Sequence, residues 1–143
     1  MKTKQVTRYT CEFCGKTGYS LGSMRKHEAH CTLNPKRECR MCEAEGNWNA
    51  PTPEELAAVV AMIPRLDDFK GDGFIDMNEP LAALKRVWDT IEDRLHGCPA
   101  CIMAALRQAK FPLPAIDWWN YTDACKEFWE PINEAKTEGI GYW

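Results

Sequence analysis

Eight cysteines carry most of the chemistry that this chain of 143 residues can perform, because thiolates bind metal ions and form disulfides. Seven of them follow the spacing of metal ligands, in one arrangement near the N-terminus and another divided between two distant Cys-x-x-Cys pairs. The N-terminus has basic residues but no apolar stretch after them, which predicts no secretory signal and a reducing, cytoplasmic location. In that location paired cysteines indicate metal rather than disulfides.

The first arrangement places two cysteines before a histidine and a third cysteine, and we call it site 1. Its ligands are Cys11, Cys14, His27 and Cys31. The first pair fits a tight turn, and His27 and Cys31, four residues apart, share one face of a helix. Four such ligands close a tetrahedron around zinc and leave no open position for a substrate, so the site is predicted to be structural. His30 is an alternative fourth ligand.

Residues 11–31 resemble the Cys-Cys-His-Cys form of the zinc finger family that folds as two strands and a helix. Met24 stands where the family has a leucine, three residues before the first helical ligand. The core aromatic of the family would fall on Gly18, and Tyr19 follows one place later. The resemblance implies an N-terminal ββα-like zinc finger, which we assign to residues 1–35.

The resemblance also bears on nucleic-acid recognition, because the family reads bases from helix positions −1, 3 and 6. These positions fall on Ser20, Ser23 and Lys26, a weak code in a single finger. Basic residues can still contact phosphates without reading sequence. The candidates for such contacts are Arg25, Lys26, Lys36, Arg37 and Arg40.

Charge is divided unevenly between the two parts of the chain. Residues 1–42 hold nine Lys and Arg against three Glu, a balance of +6. Residues 43–143 hold nine basic and eighteen acidic residues, a balance of −9. A basic head predicts attraction to phosphate or to an acidic partner, and the alternative is that the two halves neutralise each other.

The second cysteine set, site 2, combines Cys39 and Cys42 with Cys98 and Cys101, and 55 residues separate the two pairs. Two such pairs form a four-cysteine zinc site when the chain between them folds back. Two alternatives stay open at this stage. Four thiolates also hold iron–sulfur clusters, and Cys98 with Cys101 at a helix start resembles a redox-active dithiol.

Periodicity and capping signals predict a mainly α fold, with a small helical body over residues 36–143 that is stapled by zinc. Thr52 and Pro53 begin a helix that ends before Pro64. Asn47–Pro53 is predicted to be a linker. Apolar spacing and Pro or Gly boundaries predict three further helices. These span residues 78–95, 99–110 and about 118–136.

An acidic turn resembles the calcium loop of an EF-hand. Its candidate ligands are Asp68, Asp72, Asp76 and Glu79. Lys70 puts a positive charge where the third ligand belongs, and Pro64 and Pro80 interrupt the flanking helices. A glycine-rich turn is therefore favoured over a calcium site.

Aromatic residues concentrate near the C-terminus, and such a stripe is more often core than interface. As anchors for a protein partner the candidates are Trp118, Trp119, Trp129, Tyr142 and Trp143. The eighth cysteine, Cys125, lies among them and is expected to be buried as a small apolar residue.

The sequence shows no nucleophile paired with a base and no metal site with an open position, so we expect no enzyme. The favoured function is a zinc-binding structural or protein-interaction protein with two zinc ions and no membrane association. The alternatives are a nucleic-acid-binding accessory protein that uses the basic finger and, less favoured, an iron–sulfur or dithiol redox protein. The finger followed by Asn34 and Pro35 is weakly similar to small proteins encoded by bacteriophages, which implies a viral assembly or a host factor as partner and a virion or cytoplasmic location.

Overall fold

The computed structural model describes residues 1–44, 46, 50–69 and 76–140, with side chains up to residue 134. It confirms a mainly α fold, in which six α-helices, two short 3-10 helices and one two-stranded sheet account for the regular structure of the described residues. The elements are β1 (Tyr9–Thr10), β2 (Thr17–Gly18), α1 (Leu21–His30), α2 (Arg40–Ala44), α3 (Pro53–Met62), α4 (Asn78–Arg94), α5 (Pro99–Gln108) and α6 (Tyr121–Ile140).

The N-terminal unit has the order strand, strand, helix. β1 and β2 pair antiparallel, with Tyr9 opposite Gly18. Ser20 begins α1, since its hydroxyl accepts a hydrogen bond from the N–H of Ser23 at 3.3 Å. Met24 is buried under the sheet and Tyr9 packs on the same small core. Tyr19 is 69% exposed, so Tyr9 supplies the aromatic side chain of this core.

The helical body is built from α3, α4, α5 and α6, with α5 packed between α3 and α6. Amphipathic spacing explains α4, because Leu84, Trp88, Ile91 and Leu95 recur at intervals of four and three and are all buried. The helix α5 is apolar on nearly all sides, as its central position requires. A single large core results, and the four cysteines of site 2 belong to it.

The predicted helices agree with the structure within two residues for α3, α4 and α5. Thr52 caps α3 by accepting a hydrogen bond from the N–H of Glu55 at 3.2 Å. The last helix begins three residues later than predicted, at Tyr121, and extends to Ile140. The reason is Asn120, whose side chain accepts a hydrogen bond from the N–H of Asp123 and so fixes the helix start there.

Three short elements were not predicted. They are α2 and two 3-10 helices, Leu66–Phe69 and Leu113–Ala115. Each is five residues or fewer, too short to show the period of a helix. Of the predicted linker, residues 47–49 lie outside the described residues.

The acidic turn is only partly described, since Lys70 and Asp72 fall in the range 70–75 that lies outside the described residues. Asp68 is in a 3-10 helix, and the carboxylate of Asp76 accepts a hydrogen bond from the N–H of Asn78 at the start of α4. None of the metal-binding clusters found among the described residues includes Asp68, Asp76 or Glu79. The favoured interpretation remains a turn.

Membrane-spanning helices require both length and a continuous apolar composition. Among the described residues, no helix combines the two to the degree needed to cross a bilayer.

Core packing on α4 yields a stability prediction. Leu84 is 0% exposed and contacts the core of the body, so Leu84→Ala should lower the free energy of unfolding by about 3 kcal/mol through the cavity it leaves. Arg86→Ala, at an exposed position two residues along the same helix, should change it by less than about 0.5 kcal/mol. Urea denaturation of the metal-loaded protein measures both, and equal effects would contradict the assigned face of α4.

Candidate metal centres

The four predicted ligands of site 1 come together at the junction of the sheet and α1. The ligand atoms of Cys11, Cys14, His27 and Cys31 all lie within 4.8 Å of one another. Cys14 Sγ is 3.1 Å from His27 Nε2, and Cys11 and Cys31 are buried. Because no two of the cysteines are joined as a disulfide, all three sulfurs are free to bind one ion.

A tight turn between β1 and β2 aims the first two sulfurs of site 1. Cys11 N–H donates to the carbonyl of Lys16 at 2.8 Å, and Gly15 N–H donates to the carbonyl of Cys11 at 3.0 Å. Gly15 has φ +78°, a left-handed conformation that glycine adopts without strain. The backbone hydrogen bond from Lys16, helped by His27, lowers the pKa of Cys14 to about 6, which favours the thiolate that a metal ion needs.

The structure places Cys31, and not His30, in the cluster with Cys11, Cys14 and His27. Cys31 faces the other three ligands, whereas His30 Nδ1 lies 2.9 Å from the backbone carbonyl of Glu38. His30 also lies within 4.8 Å of the carboxylates of Glu38 and Glu43. Both carboxylates belong to side chains on the solvent-facing side of this segment, so we do not assign a third metal centre there.

Site 2 joins α2 to α5 inside the main core. Cys39 Sγ is 3.5 Å from Cys98 Sγ, and Cys42 Sγ is 3.6 Å from Cys101 Sγ. All four sulfurs lie within 4.8 Å of one another and all four residues are buried. Tetrahedral zinc with bonds of about 2.3 Å places neighbouring sulfurs about 3.8 Å apart, close to the observed separations and far above a disulfide bond of about 2 Å.

Electrostatics in site 2 favour a bound cation. Hydrogen bonding from Cys101 pulls the pKa of Cys39 well below its usual range, and the proximity of Cys39 raises the pKa of Cys101 far above it. Without a cation the sulfurs must therefore share protons, because adjacent thiolates repel each other in a buried site. A divalent ion removes this conflict and allows all four to be thiolates. The two clusters thus fit two metal ions.

The two centres are held in a fixed relation by hydrogen bonds between the N-terminal unit and α5. Arg107 Nη1 donates to Thr32 Oγ1 at 2.7 Å. Gln108 Nε2 donates to the carbonyls of Thr32 and Asn34, at 2.9 and 3.3 Å. These bonds cross the predicted domain boundary after residue 35, so the segment that follows Cys31 packs on the body.

Three of the five predicted phosphate-contacting residues line one cleft. Lys26, Arg37 and Arg40 line a cleft between α1 and the body, whereas Arg25 and Lys36 lie outside its lining. Lys16 and Arg107 line the same cleft and were not singled out from the sequence. A simple motif could not have found Arg107, because 75 residues separate it from Thr32, which it contacts.

The predicted aromatic anchors that the structure describes belong to the core. Trp118, Trp119 and Trp129 are half-buried and pack against the main core, and Trp118 stacks edge-on against Trp88 with ring centroids 5.6 Å apart. Cys125 packs there too and is partly buried. The remaining two candidates, Tyr142 and Trp143, lie outside the described residues.

Comparisons with known proteins add no relative to this description. The chain matches no model of a protein family, no curated protein and no solved structure. The function therefore has to be argued from the two centres and the surfaces around them.

The choice between Cys31 and His30 gives a direct prediction. Cys31→Ala should remove the ion of site 1 and reduce the bound metal by one ion per chain, because three ligands hold zinc far more weakly than four. His30→Ala, the neighbouring control, should keep the full metal content, since its ring contacts a backbone carbonyl instead. Native mass spectrometry counts the ions, and metal loss in the histidine variant with retention in the cysteine variant would reverse the assignment.

Proposed function

We propose that this chain is a non-enzymatic zinc-binding structural protein, in which two zinc ions hold a basic finger and a helical body in one arrangement for binding a partner. The observation that carries the proposal is that each cluster supplies four ligands from the protein. Four protein ligands saturate tetrahedral zinc and leave no position for a substrate or water, which is the property of structural sites.

Zinc is the ion that both ligand sets suit. Three cysteines with one histidine, as in site 1, and four cysteines, as in site 2, are both standard sets for structural zinc. An iron–sulfur cluster places several iron and sulfide ions between its thiolates, whereas the four sulfurs of site 2 lie within 4.8 Å of one another, a fit to one ion. A catalytic dithiol requires an accessible thiol, but Cys98 and Cys101 are 2% and 1% exposed.

The placement of the histidines also supports a function without catalysis. His27 is in site 1 and His30 contacts the carbonyl of Glu38. His96, the third histidine of the chain, is exposed after α4 with a left-handed backbone, φ +53°. None of the three is paired with a serine or cysteine outside a metal cluster in the described part of the chain, as nucleophilic catalysis requires.

The order of β1, β2 and α1 around site 1 supports the proposal that this unit is a ββα-like zinc finger. A protein partner remains a prediction from the sequence. Its proposed anchors Trp118, Trp119 and Trp129 contact the core, which leaves less of their surface for a partner than the sequence suggested. The N-terminal unit and its junction with the body are therefore the better candidates for the binding surface.

Metal removal tests the structural role. Stripping both ions with a strong chelator under reducing conditions should reduce the helical circular dichroism signal and abolish cooperative unfolding. Structural zinc contributes about 10 kcal/mol or more of binding free energy, comparable to the whole stability of a domain this size. Without the ions the buried thiols of site 2 would also repel or compete for protons.

The control for this experiment is the choice of ion that is added back. Zinc should restore the helical signal and the cooperative transition, whereas calcium or magnesium should not, because both ions prefer oxygen ligands. A stripped protein that keeps its full helical content and thermal midpoint would contradict a structural role for the ions.

A further inference from the structure

We propose that the cleft between α1 and the helical body binds the phosphate backbone of a single-stranded nucleic acid. The proposal rests on the proposed function, because the metal of site 1 organises one wall of the cleft. Cys14, His27 and Cys31 all line it.

The cleft is open to solvent, has a volume of about 630 Å³ and is lined by residues from both units of the chain. Five of its lining residues are cationic and none is acidic. They are Lys16 and Lys26 of the finger, Arg37 and Arg40 around the start of α2, and Arg107 of α5. A single phosphate needs only two or three such groups, so this number suits a chain of phosphates.

The negative charge of metal site 1 is too small to explain why five positively charged residues line the cleft. Three thiolates and one neutral histidine around a divalent ion leave site 1 with a charge of about −1. The five cations of the lining exceed that charge by four. Burial raises the pKa of Tyr121, which also lines the cleft, to about 12, so its phenol adds no negative charge.

Two of the arginines are held in place before any ligand binds. Arg107 Nη1 donates to Thr32 Oγ1, and Arg37 Nε donates to the carbonyl of His30 at 3.4 Å. Each guanidinium has five N–H donors, so each keeps most of them for phosphate oxygens.

The position of the cleft favours a single strand over a duplex. Ser23 and Lys26 occupy positions 3 and 6 of the finger helix, and both line the cleft opposite Arg40 and Arg107 of the body. A helix that enters the major groove of a duplex has to present this face to the base edges, and here the same face borders a cleft that the body also lines. Tyr121 adds an aromatic ring beside the cations, the combination that single-strand-binding sites use.

An acidic protein segment is the other class of polyanion, and the aromatic ring of Tyr121 beside the cations favours the nucleic acid over it. Three of the five cations are arginines, whose planar forks bind phosphate and carboxylate alike in a bidentate manner, so the cations alone do not separate the two classes. Competition by polyglutamate distinguishes the two classes in the test below.

Fluorescence anisotropy of a labelled single strand of mixed sequence, titrated with the two-zinc protein, tests the proposal. The double variant Lys26→Gln/Arg40→Gln should bind about tenfold or more weakly. Its slope of log affinity against log salt should be smaller by about 1.4, since each phosphate contact to a single strand contributes about 0.7. Both side chains are exposed, so the fold should persist.

The matched control is Arg86→Gln/Arg94→Gln, which removes the same charge from exposed positions of α4 outside the cleft. Its affinity should stay within about twofold of the parent, because exposed charges that do not line the cleft are screened by salt. An equal loss of affinity in both double variants would overturn the proposal that the strand binds in the cleft. So would a duplex of the same sequence that binds as tightly as the single strand, or polyglutamate that displaces the strand at equal charge concentration.

Metal content, measured on the same samples, separates the two proposals. Two zinc ions per chain with no binding of the strand overturns the nucleic-acid proposal and leaves the structural role intact. Fewer than two ions in the parent protein contradicts the proposed function itself.

Discussion

In the proposed function, the fold depends on the attraction between buried thiolates and a cation that they would surround. Four sulfurs of site 2 meet within the main hydrophobic core, where burial penalises charge and neighbouring thiolates repel. A metal ion would convert this unfavourable arrangement into a crosslink between α2 and α5. Because the pairs are separated by 55 residues, the crosslink closes the loop that contains α3 and α4.

The helix α5 connects site 2 to the N-terminal unit. Its first turns carry Cys98 and Cys101, and its last residues, Arg107 and Gln108, hydrogen-bond to Thr32 and Asn34 beyond site 1. One helix therefore contacts the segments that carry the two clusters. The basic cleft forms where these segments meet.

The two clusters could be predicted because cysteine spacing is a local property. Cys11 and Cys14 lie in a turn, as predicted, whereas the prediction that His27 and Cys31 share a helix face was wrong in detail, since α1 ends at His30 and Cys31 follows it as a non-helical C-cap. The helices α3 and α4 were predictable for the same reason, from Thr52, Pro64 and the apolar spacing of α4. The cleft was not predictable, because Lys16 and Arg107 come together only through tertiary packing. The favoured prediction for the tryptophans, that they are core residues, agrees with the packing of Trp118, Trp119 and Trp129, and their interface role stays a prediction.

The central claim is that two zinc ions organise this chain, and elemental analysis with an absorption spectrum tests it most directly. Protein purified without added metal should contain two zinc ions per chain, one for each cluster, and absorb no visible light, because zinc has a filled d shell. One ion or none would contradict the two-centre account. Iron with a brown colour would contradict it as well and would make site 2 an iron–sulfur centre.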